Sequence, residues 1–334
     1  MPRSAGVRGH VGAAAIGVLQ RSAGNAATAR LLTRRALLAR VEIAGTEYEQ
    51  HEGLEDPWAQ GDGTVWADLT ESERTVATEL VRSSRSYRGW EDWTFDVRLR
   101  AALIDGINRL NELMRGGVYD YNRASSGLKL PGSWQERDRA GEAAGLPPKA
   151  DPAKEVAAIF FQEGVEPPED AEFYLDCHSA LLASHYRALS EVLGASEFNR
   201  RFGNAGITIH HAGAPKGTEL DLTEEIKIKS LSLNGLLPGD LVYFSNYLDY
   251  SKLHTGSAAV LSGEHAVVLP GKRFAGFGAE GTHDEIVKML QRAYNEDISS
   301  AKKKTQREDY PGSLDGKLPG IVSVRRALKP GAKK

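Results

Sequence analysis

Apolar positions recur with helical spacing through the first two thirds of the chain. Leu99, Leu103, Ile107 and Leu110 share one face, which predicts a helix over 96–114. Thr70 lies three residues before a glutamate, the spacing of a capping box. Further helices are predicted over 76–81, 156–160, 177–193, 196–202 and 282–294.

Beyond Ile207 the pattern changes to short apolar runs that are typical of strands. Strands are predicted over 207–211, 241–244 and 266–269. Residues 125–152 are rich in Gly, Pro and Ser, which predicts a long loop or flap. The acidic, Gly-rich residues 41–66 show neither period and are predicted to form a linker. Helices followed by strands indicate the α+β class.

Charge is distributed unevenly along the 334 residues. Residues 1–40 contain seven Arg and no Asp, Glu or Lys, and residues 302–334 contain ten basic and three acidic residues. Because the whole chain carries a formal charge of -3, the residues between these ends carry −17. A body of that sign repels phosphate, and the basic ends lack an aromatic or groove-reading motif. We therefore expect no nucleic-acid partner.

The apolar run over 11–19 is about half as long as a bilayer requires, so we expect no membrane span. It also lacks the long apolar core and cleavage site of a secretory signal, which predicts a cytoplasmic protein in the producing cell. An Arg-rich leader without acidic residues is also compatible with an organelle transit peptide.

The string Val18 to Ala27, Val-Leu-Gln-Arg-Ser-Ala-Gly-Asn-Ala-Ala, resembles a segment near the N-terminus of proteins associated with bacterial extracellular contractile injection systems. The resemblance implies that residues 1–40 package the chain into an injection particle, which delivers it to a target cell as an effector or toxin. The alternative is a basic amphipathic helix or tail.

Cys177 is the single cysteine, so no intramolecular disulfide and no Cys/His metal site can form. It lies at the predicted first turn of a helix, where free N–H groups and the helix dipole favour a thiolate. A lone helical Cys is otherwise commonly a small buried hydrophobe.

Two later segments, together with this cysteine, indicate a candidate catalytic core. Pro238-Gly239-Asp240 leads into an apolar strand, and Glu264-His265 opens another. A helix that begins with Cys and is followed by these strands resembles the papain-like core of the NlpC/P60 cysteine peptidases, in which a His opens the later strand.

A closer resemblance covers about 93–324. The segments Asp176-Cys177-His178, Glu197-Phe198-Asn199-Arg200-Arg201-Phe202, Pro238-Gly239-Asp240 and Gly263-Glu264-His265 together resemble the spore-coat transglutaminases of bacilli. The resemblance implies a papain-like fold, in which the helix bearing the nucleophile packs on an antiparallel sheet with extra helices around it. It further implies Cys177 as the nucleophile, Glu264 as the partner base and Asp176 in the site, with no cofactor, metal or calcium. The catalytic domain is then expected over 67–330.

Two departures from the family pattern are visible. Asp176 stands where the family has Glu, and Phe277 stands where it has a His between two glycines. Because neighbouring strand residues point to opposite faces, only one of Glu264 and His265 can face the thiol. Counting back from the apolar run predicts that Glu264 faces Cys177 and His265 faces away.

The sequence therefore predicts a protein-glutamine gamma-glutamyltransferase that forms gamma-glutamyl-epsilon-lysine cross-links, or deamidates Gln, through a Cys177 thioester. Its partners would be proteins with exposed Gln and Lys. Two alternatives stay open at this point: a cysteine peptidase that cuts gamma-glutamyl bonds of peptidoglycan, and a non-enzymatic cargo protein of an injection system in which Cys177 is merely buried.

Overall fold

The structure, a computed structural model, describes residues 40–43, 46–49, 68–81, 86–120, 127–136, 143–147, 149–161, 167–168, 172–203, 207–210, 223–226, 232–247, 249–250, 261–296 and 320–327. The helices within these ranges are α1 (Glu71–Val81), α2 (Trp90–Arg115), α3 (Pro152–Ile159), α4 (Cys177–Leu193), α5 (Ala195–Phe202) and α6 (His283–Glu296). The strands are β1 (Arg40–Ile43), β2 (Thr46–Glu49), β3 (Ser86–Tyr87), β4 (Tyr119–Asp120), β5 (Gln135–Glu136), β6 (Ala143–Gly145), β7 (Phe173–Tyr174), β8 (Thr208–His210), β9 (Thr223–Glu225), β10 (Leu241–Ser245), β11 (Gly263–Leu269), β12 (Arg273–Gly276), β13 (Glu280–Thr282) and β14 (Ile321–Ala327).

The main sheet is antiparallel throughout and has the strand order β13-β12-β11-β10-β14-β9. One face packs against α2 and α4 and forms the larger hydrophobic core. The opposite face packs against α6 and forms a second core. Because both faces of the central strands are covered, the run from Ala266 to Leu269 in β11 is apolar at every position.

The predicted helices are present, with different ends in several cases. Thr70 and Glu73 form the predicted capping box at the start of α1, with N–H to side-chain oxygen distances of 2.7 and 3.2 Å. α2 begins six residues before the predicted start because Trp90 and Trp93 extend it, with ring centroids 5.6 Å apart. Within the described ranges, no helix combines the length and apolarity that a bilayer crossing requires.

Two stretches predicted to lack regular structure contain short strands. In the predicted linker, β1 pairs with β2 and with β3, so 41–43 and 46–49 form strands that the sequence pattern did not predict. In the predicted loop over 125–152, β5 and β6 join β8 in a small sheet. Strands of two to four residues are too short to show a period of two in the sequence. Residues 1–39 and 50–67 lie outside the described residues, and the predicted domain boundaries stay a prediction.

The Pro-Gly-Asp turn before β10 is held by buried charges. Arg100 of α2 is fully buried and donates to the Pro238 carbonyl oxygen at 2.7 Å and to Asp240 at 3.0 Å. Arg326 of β14 donates to both carboxylate oxygens of Asp240, at 2.8 and 3.0 Å. Gly239 has a φ of 80°, and a Cβ there would lie 2.7 Å from the Arg100 side chain. The motif therefore fixes the start of β10 against α2 and β14.

The Phe-Asn-Arg segment on α5 also has a structural role. The Asn199 side chain accepts from the Ala153 N–H at 2.8 Å and donates to the Asp151 carboxylate at 2.7 Å. Asp151 is the N-cap of α3 and accepts from the Lys154 N–H. The Asn199 side chain thus fixes the start of α3.

Candidate active site

Cys177 is the first residue of α4, the helix that packs against β11. Its side chain is 5 % exposed and lies in the core between helix and sheet. The 17-residue helix directs its free N–H groups and the positive end of its dipole towards this position. These groups stabilise a thiolate relative to the thiol, so the placement suits a nucleophile.

Asp176 is the N-cap of α4 and takes part in a reciprocal capping box. Its carboxylate accepts from the Ser179 N–H and from the Ser179 hydroxyl, both at 2.7 Å. The Asp176 N–H donates to the Ser179 hydroxyl oxygen at 2.8 Å. The shorter side chain that distinguishes this chain from the resembling family is therefore committed to capping the helix that presents Cys177.

The register of β11 decides which side chain faces α4. His265 pairs with Tyr243 on β10, and Glu264 pairs with Phe244. Phe244 belongs to the core beneath α6, whereas the His265 ring lies 4.6 Å from the ring of His178 on α4. The prediction that His265 faces away from Cys177 is therefore wrong. His265 leaves the strand on the α4 face, and Glu264 leaves it on the face of Phe244.

Four rings form a continuous row beside the start of α4. The centroid distances are 5.0 Å between His210 and His178, 4.6 Å between His178 and His265, and 4.5 Å between His265 and Tyr243. His210, at one end of the row, is buried, whereas His178, His265 and Tyr243 are partly exposed residues. We call these four residues the ring row.

Glu264 is 1 % exposed, so its carboxyl is withdrawn from water. Burial raises the pKa of its carboxyl group well above the ordinary value, and the negative charge of Asp176 raises it further. The Phe277 backbone N–H donates to the carboxyl, which opposes these effects. Oε1 has no hydrogen-bond partner among the described residues. A buried carboxyl with a free acceptor and a raised pKa is suited to proton transfer.

Glu264 fits this position because Gly276 lies beneath it. A Cβ on Gly276 would lie 2.1 Å from Oε1. The turn that follows is fixed from α2, since Asn111 donates to the Gly276 carbonyl oxygen and accepts from the Gly278 N–H, both at 2.8 Å. Phe277, which replaces the family's His, is buried against Tyr119 and contributes its backbone N–H to Glu264.

The Tyr243 phenol interacts electrostatically with both Cys177 and Glu264. Burial raises the pKa of its phenol, and the negative charges of Cys177 and Glu264 raise it further. The hydroxyl reaches over Gly263, where a Cβ would lie 2.2 Å from the phenol oxygen. The glycine that precedes Glu264 thus admits the Tyr243 ring.

The structure brings Cys177, Asp176 and Glu264 into one region, and their catalytic roles stay a prediction. Sequence reasoning missed Tyr243, His178 and Gly276. The signal for Tyr243 was its two-residue spacing from Leu241, which puts both side chains on one strand face. Among the described residues, no group of three or more His, Cys, Asp and Glu side chains is arranged to hold a metal ion.

Comparisons with known proteins agree on one family. The family model described as protein-glutamine gamma-glutamyltransferase matches residues 54–310. A protein-glutamine gamma-glutamyltransferase of Bacillus mycoides is 24% identical over 208 residues, which cover 61% of this chain and 64% of that relative. The solved structure of a transglutaminase from Geobacillus stearothermophilus, without its C-terminal extension, matches with a TM-score of 0.50 and 21% identity. That match covers 72% of this chain and 94% of the solved one, and it confirms the predicted papain-like α+β fold.

Proposed function

Because the chain belongs to the protein-glutamine gamma-glutamyltransferase family, we propose that it joins the side-chain carboxamide of a protein Gln to a Lys amine of a second protein. The observation that carries the proposal is Cys177, which lies at the first turn of α4 against the sheet and within the matched range 54–310. The proposed partners are proteins with exposed Gln and Lys. Covalent catalysis divides a difficult amide exchange into two easier steps.

In the first step, the Cys177 thiolate attacks the carboxamide carbon of Gln. A C–S bond forms, the C–N bond breaks, and the leaving nitrogen takes a proton and departs as ammonia. The helix N-terminus stabilises the thiolate that attacks. Glu264 in its protonated form supplies the proton to the leaving group, and its raised pKa favours that form.

In the second step, a neutral amine attacks the thioester carbon. A C–N bond forms, the C–S bond breaks, and the amine nitrogen loses one proton as thiolate is released. The Glu264 carboxylate accepts that proton, which returns the site to its starting state. Water in place of the amine gives Glu instead of a cross-link, so the same thioester also supports deamidation.

The register of β11 determines from which face of the sheet Glu264 would exchange protons in the Cys177 reaction. Glu264 leaves the strand on the face of Phe244, and its carboxyl interacts with the charge of Asp176, the residue before Cys177. The Tyr243 phenol interacts with the charges of both Cys177 and Glu264. Glu264 remains the proposed base because its carboxyl is buried and has a free acceptor oxygen.

The test incubates the full chain with a Gln-containing protein and a fluorescent primary amine. Mass spectrometry then reports amine incorporation, deamidation or peptide cleavage. We expect incorporation that is lost in a folded Cys177→Ala variant, because no other thiol is present. Retained incorporation in that variant would overturn the assignment. Peptide cleavage alone would indicate a cysteine peptidase, and a Cys177 thiol inert to alkylation would indicate a non-enzymatic cargo.

We further propose that residues 1–40 package the chain, made in the cytoplasm of a bacterium, into a contractile injection particle. The support is the acid-free composition with seven Arg and the string Val18 to Ala27. The test compares the full chain with a variant lacking residues 1–40, both in amine incorporation and in co-purification with injection particles. We expect lost association and retained incorporation. Equal association of both proteins would refute the packaging role.

A further inference from the structure

Asn111 lies on α2 and contacts the turn that follows β12. Its side chain is buried, with an exposed fraction of 4 %, and both polar groups of its amide bind this turn. Nδ2 donates to the Gly276 carbonyl oxygen and Oδ1 accepts from the Gly278 N–H, both at 2.8 Å. The two hydrogen bonds fall on either side of Phe277, so Asn111 fixes the backbone around that residue.

The Gly276 carbonyl and the Phe277 N–H belong to one peptide group. Because a trans peptide group is planar and its C=O and N–H point in opposite directions, fixing the carbonyl also fixes the N–H. That N–H donates to the Glu264 carboxyl. A hydrogen bond accepted by the carbonyl also polarises the peptide group and strengthens the donor at its other end. Asn111 and Glu264 are therefore the two ends of a single chain of hydrogen bonds.

Helix α2 contacts both this turn and the helix that begins with the proposed nucleophile. On the side of the turn, a Cβ on Gly278 would lie 2.8 Å from Cε of Met114. On the side of α4, a Cβ on Gly106 would lie 3.0 Å from Cβ of Ser184. Both contacts leave no room for even one added carbon atom, so α2 sets the position of the 276–278 turn relative to α4.

We propose that Asn111 is a positioning residue: through the Gly276–Phe277 peptide group it holds the Glu264 carboxyl in a fixed place relative to Cys177. The inference rests on the proposed transferase function and adds to it the group that orients the proposed base. Asn111 acts on the reaction through Glu264 and not by contact with a substrate. Its removal should therefore have little effect on a protein that already lacks the Glu264 carboxyl.

A double-mutant cycle tests whether Asn111 acts through Glu264. Asn111→Leu removes both hydrogen bonds with a side chain of similar size, and it is made in the unaltered chain and in Glu264→Gln. The kcat/KM for incorporation of a fluorescent primary amine into a Gln-containing protein is measured for all four proteins, and urea unfolding confirms that each is folded. The matched control is Asn199→Leu, because Asn199 also makes two side-chain hydrogen bonds, but at the start of α3.

The expected effect of Asn111→Leu depends on the background. In the unaltered chain it should lower kcat/KM by about 10- to 100-fold, because a catalytic group misplaced by about 1 Å costs on the order of 100-fold. In Glu264→Gln it should lower kcat/KM by less than about 3-fold, close to the error with which independent effects add. Asn199→Leu should leave kcat/KM near that of the unaltered chain.

The pH profile provides a second readout that a merely structural role would not change. The Phe277 N–H lowers the pKa of the Glu264 carboxyl, so its loss should raise that pKa further. Transfer to the amine uses the Glu264 carboxylate, so the rising limb of the transfer rate should move to higher pH in Asn111→Leu. The amine titrates identically in both proteins, so the difference between the two profiles reports the protein. Asn199→Leu should show no such shift.

Three results would overturn the positioning role. An equal loss of kcat/KM on Asn111→Leu in both backgrounds would make Asn111 a structural residue only. An unshifted pH profile in a folded Asn111→Leu variant would show that the peptide group does not act on Glu264. Near-normal activity of Glu264→Gln would remove the group through which Asn111 is proposed to act.

A second variant covers the case in which Asn111→Leu does not fold. Asn111→Asp has the same shape and keeps the acceptor for the Gly278 N–H, so it replaces Asn111→Leu in the cycle. Its loss of kcat/KM should again be confined to the chain that has Glu264, and an equal loss in both backgrounds would refute the proposal. Absence of incorporation by the unaltered protein is a separate result, which would refute the proposed function itself and with it any role of Asn111 in catalysis.

Discussion

Gly276 offers a steric test of Glu264 that leaves the carboxyl chemically intact. A Cβ at position 276 would lie 2.1 Å from Oε1, 2.8 Å from Cδ and 2.9 Å from Cγ of Glu264. Ordinary van der Waals contact begins near 3.4 Å, so in Gly276→Ala the carboxyl must move by more than about 1 Å. The backbone at Gly276 does not have a positive φ, so Ala is compatible with its conformation.

Gly276→Ala should lower both activity and stability. A catalytic group displaced by about 1 Å costs on the order of 100-fold in rate, and the Phe277 hydrogen bond that holds the carboxyl would be lost as well. The clash involves Oε1, Cδ and Cγ of a fully buried side chain, so the loss of stability should lie within the overpacking range, about 1–3 kcal/mol. Gly276→Ala should therefore fold and lose most of its activity.

The assay compares kcat/KM for amine incorporation with urea unfolding of the same samples. Gly89→Ala is the matched control, because a Cβ at Gly89 meets nothing within 4 Å and the residue also lacks a positive φ. Full activity of a folded Gly276→Ala variant would show that the carboxyl need not occupy the observed position. The reasoning would also fail if Gly89→Ala lost activity to the same degree.

Three further predictions follow from buried groups. Glu264→Gln should lower amine incorporation by roughly two to four orders of magnitude, the usual contribution of a general base, and near-normal rates would remove it from the mechanism. Arg100→Met should cost about 3–5 kcal/mol in urea unfolding because it leaves buried Asp240 with one cation fewer, whereas the exposed Arg200→Met should cost far less. His185 is 2 % exposed, and burial lowers its pKa from 6.5 to about 4, so the unfolded chain takes up the proton first. The contribution of neutral His185 to the free energy of unfolding is complete above pH 6.5, and about 3 kcal/mol of it is lost as the pH falls towards 4. In urea unfolding between pH 6.5 and pH 4, His185→Leu should therefore lose less stability than the unaltered protein.

The helical part of the fold was predictable because helical faces repeat in the sequence. The face of α2 from Leu99 to Leu110 and the capping box at Thr70 both appear as predicted. The start of α4 at Cys177 was also predicted from sequence. The strands β1, β2, β5 and β6 were not predictable, since each is two to four residues long and is defined by its pairing partner.

Only the tertiary structure shows which residues of the motifs that indicated the family stabilise the fold. Pro238-Gly239-Asp240 and Asn199 were recognisable in the sequence, yet the structure uses them to fix β10 and α3. Asp176 was predicted in the site, and the structure shows that its carboxylate caps α4. Such assignments depend on partners far along the chain, for instance Arg100 and Asp240, which no local pattern connects.

The sequence by itself determined that one thiol is available, that it begins a helix, and that Glu264 and His265 open a later strand. Only the tertiary structure decided which of these two neighbours faces α4. The run from Ala266 to Leu269 is apolar at every position because helices cover both faces of β11, so it carries no alternation from which a facing could be read. The packing of α4 on one face and α6 on the other sets that register. It places His265 beside His178, and it places Glu264 on the same face of the sheet as Phe244.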